Sequence, residues 1–106
     1  MKIWLDDERN PHEPYWIREK SSSIDMVWIK DPQEAIRLIE TGSVTFISLD
    51  HDLGTELTGY DVAKVIARLA YFKSIPKIEW RIHTDNPVGF KNILQTLLKA
   101  NEYWAK

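Results

Sequence analysis

Short apolar runs alternate with longer segments of mixed polarity along the chain, and this alternation predicts strands followed by helices. Residues 3–5, 26–29 and 44–49 are mostly apolar, residues 78–82 mix apolar and charged side chains, and each of the four segments has the length of a strand. Polar residues follow each run abruptly. Strands that alternate with helices favour a parallel sheet with helices on both faces and right-handed crossovers. The pattern therefore predicts an α/β fold with four clear strands.

Three segments carry helix start signals. Each predicted helix follows a residue that can cap it, and two begin with proline, which fits the first helical position. The predicted caps are Asp31, Thr58 and Asn86, the first helical residues are Pro32, Gly59 and Pro87, and the first two helices end near Gly42 and Phe72. The last helix is predicted to bury Phe90, Ile93, Leu94, Leu97 and Leu98. Residues 10–23, with two prolines and three consecutive serines, predict a loop with one helical turn at residues 15–20.

Polar side chains cluster where the predicted strands end. Residues 6–9 follow the first strand, residues 50–52 follow the third, and residues 83–86 follow the fourth. In parallel α/β sheets, ligands bind outside the carboxyl ends of the strands. The three segments are distant in sequence, but the fold would bring them to one edge of the sheet. We therefore expect them to form a shared site.

Asp6, Asp7 and Asp50 would repel one another at that edge unless a cation joins them or some of them hold protons. Carboxylates and water are the ligands that Mg²⁺ prefers, and Mn²⁺ binds similar oxygen ligands. A metal there would neutralise a phosphate oxygen and activate water. The alternative is that Asp7 and Asp52 are solvated loop acids, or that Asp52 caps a turn. The expected proximity of Asp50 to the Asp6-Asp7 pair favours the metal site.

Other residues at the same edge are candidates for proton transfer and phosphate binding. His83 could protonate a leaving alkoxide or deprotonate water, because histidine changes charge near neutral pH; alternatively, it is a structural residue. Val88 and Gly89 open the last helix, and N–H groups at a helix N-terminus attract anions. The loop framed by Gly54 and Gly59 could do the same. The alternatives are a plain helix start and a flexible connection. Arg9 could bind a phosphate, or pair with Glu8 or Glu13 in solvent.

Composition narrows the class of protein. With 106 residues, 43% of them hydrophobic, the chain suits a single domain spanning residues 1–106. The formal net charge of -2 gives no basic excess for binding the phosphates of a long nucleic-acid duplex. The absence of cysteine excludes disulfide and thiolate chemistry. No apolar run approaches the roughly 20 residues that span a bilayer, so we expect a cytoplasmic protein that does not bind membranes.

Four motifs taken together resemble the cyclic-phosphate-processing receiver-like domains of bacteria and phages, an offshoot of response-regulator receiver domains. The motifs are LDDERNP (5–11), SLDHDLG (48–54), TGYD (58–61) and HTDNPVG (83–89). They lie in the family's order and spacing over nearly the whole chain. The resemblance implies a flavodoxin-like three-layer fold. Receivers have one strand more than the four that are clear here, so a fifth strand would form from the tail or be absent.

The resemblance also implies roles for individual residues. Asp6 and Asp7 match the metal-binding acids of receiver domains, and Asp50 matches their phosphoacceptor. His83 and Asn86 match the family's His-Ser-x-Asn-Pro signature, which implies that they are catalytic, and Thr84 stands at the serine position. The implied activity is the opening or hydrolysis of a cyclic phosphate on an RNA end or a nucleotide.

Three functions fit these residues. The first is a phosphoesterase in which Mg²⁺ or Mn²⁺ on the three aspartates holds a phosphate oxygen, water or Asp50 attacks phosphorus, and His83 protonates the leaving ribose oxygen. The second is a signalling receiver phosphorylated on Asp50. It ranks lower because the fourth strand ends without the lysine that receivers place beside the phosphoaspartate. The third is a non-catalytic binding or inhibitor protein, which would leave the His-Asn-Pro element unexplained. The sequence indicates no particular oligomeric state.

Overall fold

The computed structural model of the chain describes residues 1–10 and 26–106. Within them, the elements are β1 (Lys2–Leu5), β2 (Val27–Ile29), α1 (Pro32–Glu40), β3 (Phe46–Leu49), α2 (Gly59–Tyr71), β4 (Glu79–Ile82) and α3 (Pro87–Ala105). The four predicted strands and the three predicted helices are all present. The helical turn predicted at residues 15–20 lies outside the described residues. No helix in the described part of the chain is long and apolar enough to cross a membrane.

The strands form one parallel sheet in the order β2-β1-β3-β4. Leu5 pairs with Ile29 on one side and with Leu49 on the other, and Leu49 pairs with Ile82. The last residues of the strands are thus in register, so the segments that follow them leave the sheet at one edge. The C-terminal tail forms α3 rather than a fifth strand, so the sheet built from the described residues has four strands.

The three helices pack side by side, with α2 against both α1 and α3, and therefore cover the same face of the sheet. The strand residues on this face, among them Ile3, Leu5, Ile47 and Leu49, are fully buried in the hydrophobic core. The opposite face carries Trp4, Trp28, Ser48 and Arg81, which alternate with the core residues. We predicted helices on both faces, and the described residues place helices on one face only.

The helix starts follow the predicted capping chemistry. The side chain of Asp31 accepts a hydrogen bond from the N–H of Gln33, and the side chain of Asn86 accepts one from Gly89. Thr58 and Asp61 form a capping box, in which each side chain accepts a hydrogen bond from the other residue's backbone N–H. Local hydrogen bonding therefore fixes where all three helices begin.

The buried face of α3 is narrower than predicted. Ile93 and Leu97 are buried, but Phe90 and Leu98 are 41% and 49% exposed, so their predicted burial is wrong. The physical reason is the position of α3 above β4, the edge strand of the sheet. In the described part of the chain, no element lies beyond β4 to cover the outer side of this helix.

Candidate functional site

Three strand ends bring their polar residues together because the hydrogen-bond ladder continues one residue past each strand. The N–H of Asp6 donates to Ile29 O, that of Asp50 to Leu5 O, and that of His83 to Leu49 O, at 3.0–3.1 Å. Side chains alternate between the faces of a sheet. Asp6, Asp50 and His83 therefore all extend from the face opposite the helices.

Asp6 is the most constrained carboxylate of the site. It is 1% exposed. Its Oδ1 accepts hydrogen bonds from the N–H groups of Glu8 (2.9 Å) and Arg9 (3.0 Å), and its Oδ2 contacts His83 Nε2 at 3.0 Å. Burial alone would raise the pKa of Asp6. The hydrogen bonds from His83, Arg9 and Glu8 outweigh that effect and hold the pKa below its usual value. Asp6 is therefore an anion in the folded protein near neutral pH.

Asp7 and Asp50 complete a group of three carboxylates that could hold a metal ion. One oxygen from each of Asp6, Asp7 and Asp50 lies within 4.8 Å of the others. The Oδ1 of Asp50 accepts a hydrogen bond from the N–H of His51 (2.7 Å), which leaves its Oδ2 available. Within the described residues, the carboxylate of Asp7 accepts no hydrogen bond. An all-oxygen, anionic donor set of this kind fits Mg²⁺ or Mn²⁺.

His83 is held behind Asp6 rather than at the surface of the site. Its ring stacks on Trp4, with centroids 3.7 Å apart and an interplanar angle of 9°. Its Nδ1 lies 2.8 Å from Ser48 Oγ, its Nε2 contacts Asp6, and its side chain is 7% exposed. Ser48 is fully buried, so this Ser-His-Asp chain has no accessible nucleophile. The contacts suit a residue that orients Asp6.

A cleft of about 350 Å³ opens above the carboxylates. The described residues that line it carry six carboxylates and one guanidinium, so its formal charge is strongly negative. They are Asp6, Asp7, Glu8, Arg9, Asp50, Asp52, Gly54, Thr84 and Asp85. An anionic ligand would be repelled from this cleft unless a cation accompanied it.

Arg9 is the cation of the cleft, and it joins the loop after β1 to the loop after β4. Its Nη1 donates to His83 O at 3.3 Å, and its Nη2 forms an ion pair with Asp85. Burial acts to lower the pKa of Arg9, but the hydrogen bond and the charge of Asp85 raise it above its usual value. Much of the charge of Arg9 is therefore already balanced by Asp85.

Gly54 lies in the cleft at the point where the loop after β3 passes Asp7. Its φ is +70°, a conformation that side chains disfavour, and a Cβ added there would lie 2.9 Å from Asp7 Oδ2. Glycine thus allows the loop to approach the carboxylate closely. The structure places Gly54 at the predicted site.

Asn86, Val88 and Gly89 do not line the cleft. The Oδ1 of Asn86 caps α3 through the N–H of Gly89 (2.9 Å), and its Nδ2 lies 3.4 Å from Asp52 Oδ2. Gly89 is buried under His51, whose ring would lie 2.4 Å from an added Cβ. The hydrogen bond from His51 holds the pKa of Asp52 below its usual value. The N-terminus of α3 is thus packed against the residue 51–52 loop.

Comparison with known proteins decides the family. A sequence profile described as the cyclic-phosphate processing receiver domain matches residues 1–99. The chain belongs to this family. No curated protein matches the sequence.

The receiver domain also resembles a solved structure, that of the signal receiver domain of a modulated diguanylate cyclase from Desulfovibrio desulfuricans G20. The TM-score is 0.55 at 19% sequence identity, and the alignment covers 91% of this chain and 74% of that chain. At this identity, the likeness shows the fold alone. The predicted receiver-like α/β fold is confirmed.

Of the predicted site residues, the structure of this receiver domain brings Asp6, Asp7, Asp50, Arg9 and Gly54 to the cleft. Sequence reasoning placed Glu8, Asp52, Thr84 and Asp85 in the three polar segments expected to form the site but gave them no individual role in binding or catalysis, and all four line the cleft. It also missed Ser48, the partner of His83. The available signal was spacing, because Ser48 precedes Asp50 by two residues in a strand and therefore faces the same side.

Proposed function

We propose that this receiver domain opens or hydrolyses a cyclic phosphate on a nucleotide or an RNA end, with a divalent cation held by Asp6, Asp7 and Asp50. The observation that carries the proposal is the group of three carboxylates at the cleft, whose oxygens lie within 4.8 Å of one another. Membership in the cyclic-phosphate processing family supports the substrate class. The negative cleft supports the cation, because a phosphate needs one there to offset repulsion.

When bound, Mg²⁺ or Mn²⁺ would supply Lewis-acid polarisation of a phosphate oxygen and of water. The contribution of the chain is to fix the charges around the substrate. Asp6 stays ionised because His83 and the Glu8 and Arg9 N–H groups donate to it. Arg9 lines the cleft, and its ion pair with Asp85 and its hydrogen bond to His83 O hold the positive guanidinium in place there. These charges are preorganised before the substrate arrives.

The reaction adds one water to the cyclic diester. The water oxygen forms a bond to phosphorus, the bond from phosphorus to one ribose oxygen breaks, and that oxygen takes up a proton to give a phosphomonoester. Asp52 and Asp85 at the cleft are 66% and 87% exposed, so water reaches the site and can supply this proton.

His83 has a positioning role in this scheme. Both ring nitrogens already have partners, Asp6 and Ser48, and its side chain is 7% exposed. The geometry favours orientation of Asp6 over direct protonation of the leaving oxygen, the role that the sequence suggested.

The test is a substrate screen read by phosphorus NMR. The purified chain is incubated with 2′,3′-cyclic nucleotides, RNA ends carrying a cyclic phosphate and cyclic dinucleotides, with and without Mg²⁺ or Mn²⁺. We expect a phosphomonoester signal only with metal, its loss in Asp50→Asn, and its retention in Glu40→Gln, a matched change on the exposed end of α1. The proposal fails if folded, metal-binding protein converts none of these compounds.

A second candidate is a signalling receiver phosphorylated on Asp50, and one observation favours it. Asp50 follows β3 directly, lines the cleft and is 9% exposed, so a phosphoryl donor could reach it. No lysine is among the described residues that line the cleft, and Arg9 is paired with Asp85, so an acyl phosphate would lack a free cationic partner. We expect intact-mass spectrometry after incubation with acetyl phosphate and Mg²⁺ to show no persistent adduct. A stable adduct that Asp50→Asn abolishes would favour signalling.

A further inference from the structure

β4 has one edge without a partner strand in the described part of the chain, where it pairs with β3 alone. The N–H groups of Glu79 and His83 donate to Thr45 O and Leu49 O, at 3.0 and 3.1 Å. Backbone groups of alternate residues point to opposite sides of a strand. Those of Trp80 and Ile82 therefore point away from the sheet. Such an edge is a template on which another strand can pair.

From this edge we infer that β4 is the contact between two copies of this chain, related by a twofold axis, with their β4 strands antiparallel. The charges on the strand select one register. When Trp80 lies opposite the partner's Trp80, their outward N–H and C=O groups face each other, and Glu79 of each copy lies directly opposite the partner's Arg81. If the partner strand slid by two residues, so that Trp80 lay opposite the partner's Ile82, Arg81 would lie opposite the partner's Arg81. The strand is thus complementary to an inverted copy of itself.

Both charges are available for this contact. The side chain of Glu79 is 73% exposed, and its one ion pair in the described residues is a 4.0 Å contact with Lys77. Arg81 is exposed and forms no ion pair within the described part of the chain. Edge strands that avoid pairing carry charges that repel an incoming strand. The alternating opposite charges of Glu79 and Arg81 instead attract an incoming antiparallel copy of the strand.

The orientation of α3 extends the same surface. Its Asn101 Oδ1 accepts a hydrogen bond from Trp80 Nε1 at 3.1 Å, so the Asn101 side of the helix faces the edge strand. On the other side, Tyr103 O accepts a hydrogen bond from Lys73 Nζ at 2.6 Å, next to the end of α2. The Asn101 side of α3 therefore faces β4, and the side that carries Tyr103 O faces the end of α2.

Three apolar residues of α3 lie on the Asn101 side. At about 100° per residue, Phe90, Leu94 and Leu98 fall within about 60° of Asn101 around the helix. Phe90 and Leu98 are 41% and 49% exposed. A twofold axis through the paired Trp80 residues places both α3 helices on one face of a continuous eight-stranded sheet, with these apolar sides facing each other. Pairing of β4 therefore also buries the exposed side chains of α3.

The first test is self-association measured by analytical ultracentrifugation up to millimolar concentration. We expect a monomer–dimer equilibrium for the parent. Arg81→Glu and Glu79→Arg should each raise the dimer dissociation constant roughly tenfold or more, because two attractive pairs become two repulsive ones. The double swap should restore the dimer, and so should mixing the two single variants. Arg37→Glu, a charge reversal on exposed α1, should change nothing.

The second test reports the register, using the absence of cysteine from the chain. Residues opposite each other in the close antiparallel pair have Cα atoms about 4.5 Å apart, within the range for a disulfide. Glu79→Cys mixed with Arg81→Cys should therefore cross-link under oxidation, and either variant alone should cross-link far less. A parent that stays monomeric at millimolar concentration, or a dimer that neither charge reversal weakens, overturns the inference.

Discussion

At the scale of single residues, the three clustered carboxylates differ in how many hydrogen bonds each one accepts. Asp6 accepts bonds from two backbone N–H groups and contacts His83, whereas Asp50 accepts one and Asp7 accepts none within the described residues. Asp6→Asn keeps one oxygen for the Glu8 and Arg9 N–H groups but replaces the oxygen that contacts His83 Nε2 with an amide N–H group, and a buried polar group left without its partner costs about 1–3 kcal/mol. We therefore expect Asp6→Asn to destabilise the metal-free protein by about that amount.

Asp50→Asn and Asp7→Asn should behave differently, because each removes a charge that its neighbours repel. Without metal, we expect their free energies of unfolding to equal that of the parent or to exceed it by up to about 1 kcal/mol. Added Mg²⁺ should stabilise the parent but neither variant. Thermal unfolding with and without metal measures both effects. A marked loss of metal-free stability in Asp50→Asn would show that Asp50 is structural.

His83 allows a test that separates orientation from proton donation. If His83 orients Asp6, His83→Gln should lower the rates of a natural cyclic phosphate and of an activated nitrophenyl phosphodiester by similar factors, and should weaken Mg²⁺ binding. A proton donor would affect the natural substrate alone, by roughly 10²- to 10⁴-fold, because nitrophenolate leaves without a proton. Calorimetry of Mg²⁺ binding and kinetics on both substrates distinguish the two roles. A selective loss on the natural substrate would restore the acid role.

At the scale of elements, α2 depends on its capping box. The N–H of Thr58 donates to Asp61 Oδ2 at 2.8 Å. That backbone hydrogen bond is the main reason that the pKa of Asp61 lies below its usual value. A group with a lowered folded-state pKa contributes stability above its unfolded-state pKa, and this is lost as the pH falls through the folded-state pKa. We expect Asp61→Ala to cost about 0.5–2 kcal/mol at pH 7.

The cost of Asp61→Ala should shrink as the pH falls below about 4, where the parent also loses the charged cap. Chemical denaturation at a series of pH values measures it. Glu56→Ala, in the exposed loop before α2, is the control. Its effect on the free energy of unfolding should not shrink in this way as the pH falls. A cost that does not change with pH would mean that the carboxylate acts through packing alone.

The same elements show what the sequence could predict. Caps and strand ends were predictable, because each depends on a few neighbouring residues, as at Thr58 or Asn86. The meeting of Asp6 and Asp50 followed from the parallel sheet. The burial of the His83 side chain was not predictable, since it depends on contacts with Trp4 and Ser48 in two other strands. The exposure of Phe90 and Leu98 was not predictable either, because it depends on where the sheet ends.

At the scale of the whole molecule, the charge is unevenly distributed. The described residues that line the cleft carry six carboxylates and one guanidinium, a formal charge of -5, whereas the whole chain has a net charge of -2. The other residues therefore carry +3. A cation is attracted to the cleft end of the molecule by every one of its acids, including those that would not bind the ion directly.

Mg²⁺ affinity should accordingly fall as salt rises, because the Debye length shortens from about 30 Å at 0.01 M ionic strength to about 8 Å at 0.15 M. Glu8→Gln and Asp52→Asn remove cleft charges outside the carboxylate group. Each should weaken Mg²⁺ binding at low salt and reduce its salt dependence, whereas Glu40→Gln should do neither. Titration calorimetry at the two ionic strengths measures these differences. An Mg²⁺ affinity that does not change with salt would mean that direct ligation alone holds the ion, and that the surrounding acids of the cleft do not contribute to its binding.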